Sequence, residues 1–190
     1  MRALRYSVAQ SLDGYIAGPN GEFDWIPADP DIDFLSMYAG FSGLIMGRRS
    51  YDVFVATGGA PGGPMPTWVC SRTLPPGVRD GVTFVRDAVA TVRHLKEQEG
   101  DGRPLWLWGG GELCRELAGA GELDGVDVAV IPMLLGGGIQ TVAAPAPRLP
   151  LRLRAHRLYP RSGIMVLEYD VVRSHEDDEN DRDAVRSARG

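Results

Sequence analysis

The stretch Pro104 to Leu117, PLWLWGGGELCREL, limits the possible folds more than any other. Leu105, Trp106, Leu107 and Trp108 form a short apolar run typical of a buried strand. Gly109, Gly110 and Gly111 follow without side chains. Glu112 to Leu117 then starts a helix, with Leu113, Leu117 and Ala118 on one face. A strand that passes through three glycines into a helix leaves backbone N–H groups unpaired at the helix start. The glycines let a ligand approach those donors, and the helix dipole favours negative charge there. A phosphate or pyrophosphate fits such a junction. A tight turn that packs a helix onto a sheet would give the same string, so the stretch alone leaves both readings open. It is not a complete GxGxxG fingerprint, because Cys114 stands where the last glycine would be.

The rest of the chain repeats the alternation. Leu4 to Ala9 predicts a first strand, and the turn-rich SLDGYIAGPNG (Ser11 to Gly21) predicts a long loop. That loop and its continuation carry Tyr15, Ile16, Phe23, Trp25 and Ile26, a content suited to a binding loop or to packing on the core. Asp29 to Asp33 offers an N-cap for a helix through Phe34, Leu35, Tyr38 and Phe41. Leu44 to Met46 predicts a second strand, and Gly47-Arg48-Arg49-Ser50 opens a helix to about Val55. This second strand–glycine–helix junction carries two arginines, whose geometry suits phosphate. Thr67 to Cys70 and Val82 to Val85 predict strands, the first ending in Ser71-Arg72-Thr73, and Ala88 to Gln98 predicts an amphipathic helix. Val126 to Ile131 reads as a buried strand, followed by a second glycine triplet, Gly136 to Gly138. Leu151 to Tyr159 and Ile164 to Val172 predict a hairpin turning at Pro160 to Gly163. The pattern is that of an α/β protein with a mainly parallel sheet and an antiparallel edge. Ligands bind such sheets at the carboxyl ends of the strands, which groups Gly47-Arg48, Ser71-Arg72 and Gly109-Gly110-Gly111.

Composition removes several chemistries. A net charge of −5 argues against a nucleic-acid binder that relies on a positive field. No apolar run reaches the roughly 20 residues of a membrane helix, and the N-terminus lacks a signal-peptide core, so the expected compartment is the cytoplasm. Cys70 and Cys114 are far apart and fit two buried thiols. The one lysine, Lys96, lies in the polar string RHLKEQEG, which argues against a buried Schiff-base lysine. His94, His156 and His175 sit in no ligand pattern, so no metal site is expected. Ser174 to Gly190 holds six acidic residues among seventeen and one sizeable apolar residue, Val185, which predicts a disordered or weakly helical tail beyond a single domain spanning residues 1–173.

Five segments in order, VAQSLDGYIAG (Val8 to Gly18), LIMGRRSYDVF (Leu44 to Phe54), VCSRTL (Val69 to Leu74), LWLWGGGEL (Leu105 to Leu113) and VIPMLLGGG (Val130 to Gly138), carry a family resemblance. The chain resembles the dihydrofolate reductase-like superfamily. It looks most like stand-alone proteins related to the reductase domain of the bacterial bifunctional riboflavin-biosynthesis deaminase-reductase. The resemblance implies a three-layer α/β fold with a central, mainly parallel sheet of about eight strands. It implies NADPH as cofactor, a reductase acting on a small heterocycle of pterin or ribosylaminopyrimidine type, and a homodimer. By motif, Gly47, Arg48 and Arg49 would meet the cofactor phosphates, and Ser71 and Arg72 the 2′-phosphate. Gly109, Gly110, Gly111 and Glu112 would wrap the pyrophosphate, and Ala9, Ile16 and Ala17 would flank the nicotinamide. On the substrate side, dihydrofolate reductases place one carboxylate on the helix after the first loop. Asp31 and Asp33 lie in that region and read equally well as helix-start acids, while Asp13 of SLDG either faces substrate or forms the turn with Gly14. Trp25, Phe34 and Tyr38 could stack on a flat ring or enter the core. No deaminase zinc signature is present. The rival reading from another class is a protein that senses NADPH, or binds a partner, without turnover.

Overall fold

The computed structural model describes residues 1–59 and 65–173; the predicted tail 174–190 and part of the loop Thr57 to Pro66 lie outside the described residues. The chain runs β1 (Leu4–Ser11), β2 (Tyr15–Ala17), α1 (Phe34–Ala39), β3 (Gly43–Gly47), α2 (Arg48–Ala56), β4 (Thr67–Cys70), β5 (Gly77–Arg79), β6 (Val82–Val85), α3 (Ala88–Glu97), β7 (Leu105–Gly109), α4 (Gly111–Gly119), β8 (Gly125–Ile131), β9 (Ile139–Gln140), β10 (Leu151–Tyr159) and β11 (Ile164–Val171). Nine strands form one sheet in the order β10-β11-β8-β1-β7-β3-β4-β6-β5. From β8 to β6 neighbouring strands are parallel, and the pairs at each end are antiparallel.

Alternation along the strands sorts the core into two layers. Leu105 and Leu107 of β7 face α3 and α4, where Leu4, Tyr6 and Ile45 meet Val92, Leu95, Leu113 and Leu117. Trp106, between them, faces the other way, with Leu44, Met46, Val69 and Phe84, toward Met37, Phe41, Tyr51 and Phe54. Phe41 and Tyr38 both lie on the Trp106 ring, at centroid distances of 5.0 and 5.2 Å. The stack anchors α1 although none of its residues is fully buried.

Three features depart from expectation. The sheet has nine strands rather than about eight, because the short edge strand β5 pairs antiparallel with β6. The SLDGYIAG segment is not all loop: β2 pairs with β9 in a separate two-stranded sheet. Strands of three and two residues are too short to show alternation. Lys96, whose polar string argued against a buried Schiff-base lysine, is only 4% exposed. It follows Leu95 on the packed side of α3 and pairs with Asp124 at 2.6 Å, while its Nζ donates to the Glu122 carbonyl at 3.0 Å. Those partners come from a loop after the next strand and helix, so the local string gave no sign of them.

Candidate active site

β7, β3 and β4 lie side by side, and their carboxyl ends bring the three junctions together. Met46 is level with Gly109, and Gly47 with Cys70. The helices then divide by how they begin. α1 and α3 are capped by aspartates: Asp33 accepts from the Ser36 amide at 3.0 Å and Asp87 from the Ala90 amide at 2.9 Å. α2 and α4 start from Gly47 and Gly110 with no side-chain cap at all. These two uncapped starts adjoin, since a Cβ added at Gly47 would lie 3.8 Å from the Gly109 oxygen and 3.9 Å from the Gly110 nitrogen. Each helix start carries roughly half a positive charge and several free amides, so the pair favours an anion.

The glycines are not equivalent. A Cβ on Gly110 would meet nothing closer than the Ser50 hydroxyl at 3.7 Å, and one on Gly47 nothing closer than the Gly109 oxygen at 3.8 Å, both ordinary contact distances. Gly109 takes φ +136°, a conformation glycine tolerates and other residues do not, and the Gly109–Gly110 peptide is cis. Gly111 is constrained from inside: a Cβ there would collide with the Gln140 carbonyl and lie 3.0 Å from that of Thr141. Packing of α4 against residues 140–143 therefore explains Gly111, whereas no contact among the described residues would exclude a side chain at Gly47 or Gly110. Glu112 stands in the first turn of α4, where the dipole favours its charge.

Among the cations, Arg48 is committed to its own helix, with Nε 2.7 and 2.8 Å from the Asp52 oxygens. Arg49 and Arg72 are exposed and make no hydrogen bond or ion pair among the described residues. Ser71 is buried, and its Oγ accepts from the amides of Leu74 at 3.0 Å and Thr73 at 3.3 Å. Its hydroxyl thus shapes the turn that presents Arg72. The first loop folds toward the same edge: Ile16 Cδ1 is 4.0 Å from the position of a Gly110 Cβ, Ala17 is buried, and Ala9 lies near the end of β1. Ser50, which the sequence reading overlooked, sits one helical turn after Gly47 with Oγ facing Gly109 and Gly110. Its spacing from the helix-start glycine was the available signal.

The carboxylates are largely spoken for. Asp13 accepts from Ser11 Oγ at 2.6 Å, the Leu135 amide at 3.1 Å and the Gly136 amide at 2.7 Å, and the Ser11 hydroxyl with the two amides holds its pKa down at about 2. Asp33 is the α1 cap, and the Ser36 hydroxyl and amide keep its carboxyl below the ordinary range. Asp31 is exposed and 3.7 Å from Arg161 of the β10–β11 turn. Phe34 and Tyr38, one turn apart on α1, are 54% and 41% exposed, so neither is a core residue; Trp25 is half-buried, with its indole N–H donating to the Glu22 carbonyl at 3.2 Å. Both cysteines are free thiols, and burial pushes each up to about 12; Cys114 is fully buried, Cys70 only partly.

A profile of the RibD C-terminal domain family matches residues 2–165. The chain belongs to that family. The uncharacterized protein YyaP of Bacillus subtilis (strain 168) is 27% identical over 181 residues, covering 88% of this chain and 94% of that protein. A putative riboflavin biosynthesis protein from Shewanella sp. PV-4 is 25% identical, with a TM-score of 0.75 over 90% of this chain and 99% of that one. Dihydrofolate reductase from Enterococcus faecalis, solved with NADP(H), superposes with a TM-score of 0.66 over 90% of this chain and 97% of that one. At 18% identity that likeness is one of fold. The family and its neighbours share the reductase-type α/β architecture on which the paired helix starts are built.

Proposed function

We propose that the chain is an NADPH-dependent reductase of a small heterocycle, pterin-like or ribosylaminopyrimidine-like. The observation that carries the reading is the pair of adjoining, uncapped helix starts at Gly47 and Gly110, neither of them crowded closer than ordinary contact distance. A pyrophosphate would accept from the first amides of α2 and α4, with Gly109, Gly110 and Gly111 lining the approach. Arg72, with Arg49 beside the α2 start, supplies positive charge for a 2′-phosphate. Ala9, Ile16 and Ala17 flank the nicotinamide and keep water from that face. The cofactor, when bound, supplies the hydride. The ring of the substrate lies toward Phe34 and Tyr38, whose exposure on α1 suits stacking. Asp13 and Asp33 are engaged as acceptors by the Ser11 and Ser36 hydroxyls, which leaves Asp31 or an ordered water to bring the proton.

The same reading gives the protein a second copy of itself as partner. At the sheet edge Leu153, His156 and Leu158 of β10 are level with Tyr169, Leu167 and Met165 of β11, which are level with Val126, Val128 and Val130 of β8. This face is almost wholly apolar, and Leu153 and Leu158 remain 50% and 52% exposed. Sheet packing against an identical face would cover it. The domain is taken to end near Arg173 and to function in the cytoplasm; none of the described helices is long and apolar enough to cross a membrane.

The test is loss of NADPH absorbance in a substrate panel headed by dihydrofolate and the ribosylaminopyrimidine of riboflavin synthesis. Turnover with either supports the reading. NADPH binding without turnover across the panel favours a sensor, and failure to bind any dinucleotide rejects a cofactor role for the paired helix starts.

A further inference from the structure

We infer that Asp13 is a positioning residue: its carboxylate latches the first loop to the Leu134–Gly138 loop and so fixes the backbone of Ile16 and Ala17 beside the glycine junction. The inference rests on the proposed cofactor site and deepens it. Residues 11–18 and 133–141 are joined along their whole length. Leu12 N–H donates to the Met133 carbonyl at 2.8 Å, and the Thr141 amide and hydroxyl both donate to the Gly14 carbonyl, at 3.0 and 2.9 Å. β2 and β9 pair beyond them, and Gly138, at φ +140°, lies so close to the Ala17 carbonyl that a side chain there would collide with it.

The joint has little apolar packing to hold it. Leu12, Met133 and Leu134 are 64%, 42% and 67% exposed, and Ile139 on β9 is 42% exposed. Polar contacts must therefore carry the registration of the two loops, and Asp13 is the one charged group among them. Its two oxygens take three donors, two of them amides of the opposite loop. Hydrogen bonds to a charged acceptor are about twice as strong as neutral ones. Gly136, one of the donors, takes φ +70°, which allows the opposite loop to turn its consecutive amides toward the carboxylate. The carboxylate thus holds the loop whose Ile16 reaches the Gly110 position.

The experiment compares wild type with Asp13→Ala, Asp13→Asn and Ser11→Ala, each first checked for a cooperative thermal transition. Amide hydrogen exchange is read at residues 133–138 without ligand, and NADPH affinity and steady-state kinetics are read alongside. Asp13→Ala should speed exchange at Leu135 and Gly136 at least tenfold, and weaken NADPH by roughly the same factor, the scale of a lost hydrogen bond to a charge. Asp13→Asn keeps an acceptor oxygen and should recover part of both, and Ser11→Ala should have the smallest effect. The acid limb of the pH–rate profile should stay where it is in wild type. Unchanged exchange in Asp13→Ala overturns the latch. Abolished turnover with unchanged exchange and affinity makes Asp13 a catalytic acid and overturns the inference as well. If wild type binds no dinucleotide, the proposed function fails, while the exchange result still reports whether the two loops are tied by Asp13. Should Asp13→Ala not fold, Asp13→Asn against Ser11→Ala carries the same comparison.

Discussion

Cofactor selectivity should reside in Arg72. NADPH and NADH differ only in the 2′-phosphate, so a residue that contacts it governs preference and little else. Three cations stand at the relevant edge, and the structure ranks them. Arg48 is held by Asp52 through two short contacts and would have to give up that pair to reach a ligand. Arg49 is exposed at the start of α2, not at the end of β4. Arg72 is exposed, free of partners among the described residues, and set on a turn that Ser71 holds from below. A hydrogen bond to a charged group contributes about 1.5–3 kcal/mol. An exposed guanidinium is screened by solvent and salt, which places Arg72 near the lower end, at about 1.5–2 kcal/mol. Arg72→Ala should then weaken NADPH roughly 10- to 30-fold and leave NADH nearly unchanged. It should leave stability near wild type, because no hydrogen bond or ion pair among the described residues is lost. Titration of both cofactors by fluorescence or calorimetry, on wild type, Arg72→Ala and Arg48→Ala with Arg72→Ala, measures this directly. Equal wild-type dissociation constants for the two cofactors would refute the reasoning, as would an equal loss of both in Arg72→Ala.

The glycine junction can be divided by mutation: Gly111→Ala should cost about 1–3 kcal/mol of stability by overpacking, whereas Gly110→Ala should leave the melting temperature near wild type and weaken NADPH at least tenfold. Comparable melting losses in both variants would remove the distinction. Lys96→Met removes the buried ammonium from Asp124, which keeps Arg173 at 2.7 Å, and should destabilise by about 1–2 kcal/mol, or roughly 2–8 °C in melting temperature, with NADPH affinity unchanged. Leu153→Glu places a charge in the apolar β10–β11 face and should convert a dimer to a 20.6 kDa monomer in sedimentation with little loss of fold stability; a wild-type protein that sediments as a monomer at micromolar concentration would reject the interface. Truncation after Arg173 should leave melting temperature and cofactor affinity unchanged, and a large drop in either would assign the charged segment to the fold.

What could be read from residues alone were the elements with strong local signatures. The buried LWLW strand, the glycine-to-helix junctions and the closing hairpin all appear where the pattern puts them. β5, β2 and β9 were missed because strands of two or three residues are stabilised by their neighbours and leave no period. The burial of Lys96 has a related cause: its ammonium meets the carboxylates of Glu122 and Asp124, which lie far along the chain. The site divides in the same way. That glycines and arginines gather at the strand ends was legible, since it follows from topology. That Gly111 serves packing, that Arg48 is tied to Asp52, and that Ser50 joins the group depend on distances that no spacing rule conveys.

The carboxylates carry this argument furthest. A folded-state pKa depressed below the unfolded value contributes stability that is present above the unfolded pKa and is lost as pH falls through the folded one. Asp13, lowered to about 2, therefore stays charged and its contacts stay made across the range in which enzymes are assayed. Asp33 is lowered in the same direction by Ser36. Two of the three candidate acids are thus acceptors in the resting protein, each consumed by the loop or helix it organises. A protonation requirement between pH 5 and 8 would have to be traced to a group other than Asp13 and Asp33. In this chain the SLDG aspartate ties two loops together, and the helix-start aspartate caps α1.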